Sequence, residues 1–134
     1  MALLTKQITK FYKDLDLAFP RNLFTGDVGK KIDVNAVSQS LKILILTNFY
    51  ERRFAPEKGA NLRGMLFENM TRLQAEVMSK VITNLIEAYE PRAVIENIVV
   101  IPDYDKNLYQ VSIYYYVRGF TQPQEFNVNL QRLR

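Results

Sequence analysis

The sequence predicts an α+β fold: an antiparallel sheet of three to four strands with a C-terminal meander, packed against two main helices and a short one. Three observations lead there. Apolar residues recur at helical spacing over residues 33–46 and again over 71–90. At Pro91 the period changes from helical to strand. Beyond it, three strand-like segments are separated by short turn-rich stretches, which makes a meander whose apolar face the helices must cover.

The elements follow in order. Residues 1–13 read as a short amphipathic arm, with Leu4, Ile8, Phe11 and Tyr12 at near-helical spacing. Residues 15–19 read as extended up to Pro20, which cannot donate to a strand ladder, and Gly26 and Gly29 mark turns around Val28. Asp33 is placed to cap a helix through Leu46, its carboxylate accepting from the first unpaired amides. Val34, Val37, Leu41, Leu44 and Ile45 form that helix's stripe, and Ile43 and Leu46 widen it toward burial on several sides, as in a central helix. Residues 49–60 are a loop punctuated by Pro56 and Gly59, after which Asn61 caps a short helix bearing Leu62, Met65 and Leu66. Thr71-Arg72-Leu73-Gln74 has the form of a capping box. The helix it opens presents Leu73, Val77, Val81 and Leu85, joined by Met78, Ile82 and Tyr89, and Pro91 ends it.

Residues 94–101 are β-branched and nearly continuously apolar, the pattern of a central strand. After a turn at 103–107, Tyr109, Val111, Ile113, Tyr115 and Val117 alternate with Gln110, Ser112, Tyr114 and Tyr116. A second turn around Gly119 and Pro123 leads to Phe126, Val128 and Leu130 alternating with Glu125, Asn127, Asn129 and Gln131, a one-sided strand. Tyr115 is therefore assigned to the core, whereas Tyr114 and Tyr116 share the other face, covered either by a helix or by a partner.

A chain of 134 residues with 48% hydrophobic content is one domain by length, residues 1–134. No apolar run reaches the ~18 residues of a membrane span, and the N-terminus lacks the form of a signal peptide. The absence of cysteine and histidine excludes disulfides, thiolate metal sites and the commonest general base, and nothing implies a cofactor. The net charge of +4 is dispersed, with local clusters at Lys30-Lys31, Arg52-Arg53 and the tail Arg132 and Arg134. That pattern argues against nucleic acid and for a solvated surface or an acidic protein partner.

Residues 51–68 read ERRFAPEKGANLRGMLFE, and the triplet Glu90-Pro91-Arg92 follows downstream. In this order and spacing the chain resembles the small baseplate wedge subunits of contractile phage tails. That family carries an old lysozyme-like label and has relatives in the type VI secretion baseplate. The resemblance spans about residues 14–130: Arg52, Pro56, Gly59, Leu62, Leu66, Phe67 and Glu68 match one signature, and Glu90-Pro91-Arg92 matches the most diagnostic triplet. Two positions depart, with Tyr50 where a glycine is usual and Lys58 where an aromatic is usual. The resemblance implies a structural subunit of a virion tail baseplate, assembled in the host cytoplasm. It implies other baseplate wedge proteins and the tail sheath protein as partners, without nucleic acid or membrane, and a platform on which the sheath begins. It also implies that Glu90, Pro91 and Arg92 form an assembly-critical core.

The residues themselves support specific expectations. A carboxylate at a helix C-terminus meets the negative end of the helix dipole, so Glu90 requires a compensating donor, either Arg92 or Arg52. Arg52, Phe54, Pro56 and Gly59 form a candidate docking loop, in which Gly59 permits a backbone shape that larger residues resist. Leu66-Phe67-Glu68 reads as core followed by a solvated carboxylate. The strand Glu125, Phe126, Asn127, Val128, Asn129 and Leu130 is the candidate edge for pairing with a sheath segment. Two other classes stand beside the structural one, a peptidoglycan-degrading enzyme and a small adaptor on the same domain. A glycosidase needs two carboxyl groups at defined separation. Glu57, Glu68, Glu90, Asp103 and Asp105 are available, but no spacing singles out a pair, and tryptophan, a common sugar platform, is absent. No catalytic or metal-binding residue is assigned.

Overall fold

The computed structural model describes residues 12–132. Its elements are β1 (Lys13–Leu15), β2 (Lys30–Ile32), α1 (Val34–Leu46), α2 (Leu62–Met65), α3 (Arg72–Tyr89), β3 (Ala93–Asp103), β4 (Leu108–Val117) and β5 (Pro123–Gln131). The α+β architecture is as expected, two main helices and a short one against an antiparallel meander. The main sheet has three strands in the order β3-β4-β5, and β1 with β2 forms a separate two-stranded sheet.

Alternation along the meander sets which face the helices cover. On β4, Tyr109, Val111, Ile113, Tyr115 and Val117 are all buried, and Ser112, Tyr114 and Tyr116 between them are only partly so. Register carries the covered face across the sheet, with Ile98 and Phe126 opposite Ile113, and Val100 and Val128 opposite Val111. A bulge lies between Ile95 and Asn97. Against this face pack Val37, Leu41, Leu44 and Ile45 of α1 and Met78, Ile82, Leu85 and Ile86 of α3, in one continuous core. Full burial of each such side chain stabilises by about 1.5–3 kcal/mol. Tyr115 reaches across this core to a hydrogen bond of 2.7 Å with Ser38 of α1.

Several expectations need correction. The apolar strand after Pro91, read as central, is an edge among the described residues; β4 occupies the centre, and Val94 and Ile101 of β3 stand 46% and 53% exposed. A run of β-branched residues measures strand propensity and does not determine lateral order. Asp33 holds the N-cap position of α1 but makes no capping bond; its carboxylate accepts from the Tyr12 amide at 3.0 Å. Asn61 likewise makes no side-chain cap. Thr71 does cap α3, accepting from the Gln74 amide at 3.1 Å.

The stripe of α3 is rotated from the one expected. Ala75, Met78, Ile82, Leu85 and Ile86 are buried, whereas Leu73 is 70% exposed and Val77 42%. On α1, Leu46 is half exposed and Ile43 only partly covered, so burial is one-sided. The extended run ascribed to 15–19 ends sooner: the strand is Lys13–Leu15, and Phe19 turns with a φ of 49°. Its partner β2 had no periodic signal of its own. The arm over 1–13 lies outside the described residues except for Tyr12 and Lys13, and Lys13 begins β1.

Candidate functional site

Glu90 closes α3 in a position fixed by its neighbours in sequence. Its amide donates to Ile86 at 2.8 Å, completing the last helical turn. Pro91 pushes the preceding backbone out of the helical region, and Glu90 has a φ of −128° and ψ of 75°. The chain then enters β3, bringing the Arg92 side chain back over the Glu90 carboxylate. Arg92 Nε donates to Glu90 Oε1 at 2.7 Å, and its Nη2 donates to Oε2 at 2.9 Å. The other side of the guanidinium meets β1, with Nη1 and Nη2 each 3.1 Å from a carboxylate oxygen of Asp14. Partly buried Ser40 of α1 donates to Glu90 Oε2. Tyr12 lies against the guanidinium at 5.7 Å and donates its hydroxyl to the Arg118 carbonyl.

This network joins β1, α1, α3 and β3 at one point. Glu90 is only 3% exposed. Burial pushes its pKa up, but hydrogen bonds from Arg92 and Ser40 outweigh that and hold it below the usual glutamate value. The hydrogen bond to Glu90 in turn raises the pKa of Arg92. The cluster is a clamp whose guanidinium is shared between two carboxylates.

Of the two donors considered for Glu90, Arg92 fills the role, and Arg52 is exposed and makes no bond to it. Asp14 and Ser40 were missed. Ser40 is a polar position inside the apolar stripe of α1, which is the one local signal it carries, and Asp14 lies 78 residues from its partner.

The candidate docking loop projects from the C-terminal end of α1. Phe54 is fully exposed at its tip, and Arg52 and Pro56 are exposed beside it. Tyr50, at the position the resembled family fills with glycine, has a φ of 65° in the left-handed region, and its amide donates to the Pro56 carbonyl at 2.7 Å. The turn therefore persists with a tyrosine in it. The requirement at Gly59 differs from the one expected: a Cβ there would stand 2.6 Å from the Thr47 carbonyl oxygen and 2.9 Å from the Asn48 carbonyl carbon. Close backbone approach to the end of α1, and not an unusual φ, calls for glycine. Glu51 accepts from the Asn48 amide at 3.0 Å and from its side chain at 2.8 Å, bonds that lower its pKa.

Other motif residues are dispersed. Leu66 packs against the core, but Phe67 is 54% exposed, with the Arg132 guanidinium 4.8 Å from its ring. Glu57, Glu68 and Asp105 are exposed, and Asp103 accepts from the Lys106 amide at 3.2 Å. Glu90 alone among the five carboxyls is buried, and it is held ionised, the opposite of what a proton-donating acid requires. Glu125, Phe126, Asn127, Val128, Asn129 and Leu130 lie on β5, which among the described residues pairs only with β4. Tyr114 and Tyr116 lie on the face turned away from the helices and are partly exposed.

The family model described as baseplate wedge protein gp25 matches residues 33–121, a span that holds the candidate docking loop and the Glu90-Pro91-Arg92 triplet. The chain belongs to this baseplate wedge family. Within the family, the baseplate wedge protein gp25 of Enterobacteria phage T4 is 36% identical over 98 residues, covering 73% of this chain and 74% of that one. The wedge fold extends to more distant structures. A putative tail lysozyme from Geobacter sulfurreducens superposes with a TM-score of 0.67 at 16% identity, over 73% of this chain and 89% of that one. A chain of the anti-feeding prophage baseplate gives 0.64 at 21% identity, over 92% and 88%. One from the post-contraction pyocin R2 baseplate gives 0.51 at 17%, over 81% and 95%.

Proposed function

We propose that this wedge-family chain is a non-enzymatic structural subunit of a contractile tail baseplate. In this reading it docks to other wedge proteins and offers the platform on which the tail sheath begins to polymerise. The observation that carries the reading is the combination of family membership with an internally clamped scaffold that leaves one flank of β5 without a strand partner among the described residues. An edge strand carries a row of unpaired amides and carbonyls, and an extended segment from a sheath subunit can add to it. Backbone pairing supplies affinity, and side chains alternating to the two faces supply register. The exposed Phe54 and Arg52 form the second contact, toward a neighbouring wedge protein. Assembly takes place in the host cytoplasm, and the finished site is the virion baseplate.

Electron microscopy of particles assembled without this chain tests the proposal. Missing baseplates, or bare tubes without sheath, are expected. Complete tails that contract but fail to cross the cell wall would transfer priority to a peptidoglycan-degrading role. The purified chain is expected to leave peptidoglycan uncleared; clearing that is lost in Glu68→Gln or Glu90→Gln would overturn the non-enzymatic reading.

The edge has its own test. Along a strand successive amides point to opposite sides, so of Asn127 and Val128 one serves the ladder with β4 and the other faces outward. Whichever of Asn127→Pro and Val128→Pro retains the parent melting temperature is expected to block sheath initiation. Normal initiation on that folded variant would remove β5 as the pairing edge.

A further inference from the structure

Beside β5 runs a groove of about 900 Å³ between α1 and the β1–β2 hairpin. Its apolar lining includes Ile32, Ile43, Leu46 and Phe126, of which Ile32 and Leu46 are half exposed at 48% and 49%. Lys30, Lys31 and Lys42 also line it, against a single acid, Asp16, which stands 3.9 Å from Lys31. Among the described residues neither Lys30 nor Lys42 has a carboxylate within ion-pair distance. The side of α1 that borders the groove contributes Asn35, Gln39 and Lys42, and no acid.

We propose that this groove receives an extended partner segment whose groove-facing side chains combine aliphatic and acidic residues. The inference rests on the strand-addition reading of β5 and names the chemistry of the strand that adds there. A strand beside β5 presents alternate side chains to the face that carries Phe126 and Val128, the side of α1 and the hairpin. Aliphatic groups at those positions cover Ile32 and Leu46, and carboxylates meet Lys30 and Lys42. Charge complementarity of this kind selects the partner and its register more than it adds raw affinity.

Two other placements fit less well. The groove of about 780 Å³ beside the opposite edge, between α3 and β3, sets Arg72 and Lys80 against Glu76, a mixed lining that selects no sign of charge. The chain's own residues 1–11 contain Lys6 and Lys10 and no acid, so a lysine-lined groove disfavours them.

The test is an NMR titration of the isotope-labelled full chain with two synthetic peptides of about ten residues, one repeating Val-Ser-Glu-Ser and the other Val-Ser-Lys-Ser, so that valine and the charged residue share one face of the strand. The glutamate peptide is expected to bind about tenfold tighter, with amide shifts centred on residues 30–32, 42–46 and 124–131. The double variant Lys30→Glu, Lys42→Glu is expected to lose that preference; Lys30→Gln, Lys42→Gln is read in its place if the first fails to fold. Equal affinity for the two peptides, binding of neither, or shifts centred on β3 would overturn the proposal. Displacement of the glutamate peptide by one spanning residues 1–11 would also overturn it, by giving the groove to the chain's own arm. Undiminished groove binding by the folded proline variant of β5 would uphold the acidic-segment site while removing strand addition.

Discussion

Glu90 is the residue on which the clamp depends, because a carboxylate 3% exposed is tolerated only while Arg92 and Ser40 hold it. Breaking a buried pair from one side costs about 3–5 kcal/mol, since the remaining charge stays desolvated. Arg92→Ala is therefore expected to lower the unfolding free energy by about 3 kcal/mol, measured by urea titration. Its pH profile supplies an independent check. In the parent chain the folded pKa of Glu90 is lowered, so its stabilisation is complete above the unfolded glutamate value of about 4.3 and is lost as pH falls toward the lowered value. Without Arg92, burial dominates and the folded pKa rises, so stability should instead fall as pH rises through that same unfolded value. An unchanged slope in the variant would contradict the assignment. Gly59→Ala is a second residue-level case: its methyl must displace backbone at Thr47 and Asn48, at an expected cost of about 1–3 kcal/mol read from the melting temperature.

At the scale of elements, the β1–β2 hairpin depends on contacts distant in sequence. Each strand has three residues, too few for a two-stranded sheet to persist alone. Asp14 fastens β1 to Arg92, and the Tyr12 backbone is bonded to Asp33 just before α1. Asp14→Ala should therefore speed hydrogen exchange at the amides of β1 and β2 while leaving the core of α3 and β4 protected. Equal protection in parent and variant would show that the hairpin is held by other contacts. The hairpin also forms one wall of the lysine-lined groove, so its attachment to Arg92 links the family triplet to the flank of β5. The Glu90-Pro91-Arg92 motif thus serves assembly in this reading by holding a docking wall in place, with its guanidinium already occupied internally.

At the scale of the molecule, one continuous apolar core joins α1, α2, α3 and the main sheet. With eight tyrosines and no tryptophan, tyrosine fluorescence reports on the sheet, where Tyr109 and Tyr115 are fully buried, while far-ultraviolet circular dichroism weights the helices. The two urea transitions are expected to coincide, with a slope of about 1–3 kcal/mol per molar. Separated midpoints would show that the helices and sheet unfold as independent units. The two lateral edges of the sheet differ in their surroundings, with mixed charge beside β3 and lysines beside β5, so the molecule is polarised with respect to an incoming strand.

The amino-acid sequence by itself determined the two helices, the switch to strands at Pro91, the inward placement of Tyr115 and the family triplet. Each depends on periodicity, on a proline's local geometry or on a short motif, all of which act over a few residues. Tertiary structure decided what depends on distant partners. The apolar pattern of β3 is equally compatible with a centre or an edge, because side-chain alternation does not encode which strand lies alongside. Asp33 has a capping residue's identity and position, yet its carboxylate was drawn to the Tyr12 amide. Tyr50 appeared to conflict with a glycine turn, and its φ of 65° shows that the turn is retained nonetheless. Asp14, finally, carries no local pattern. It joins the site only because the fold brings β1 to Arg92, where a guanidinium with five donors can satisfy a second carboxylate.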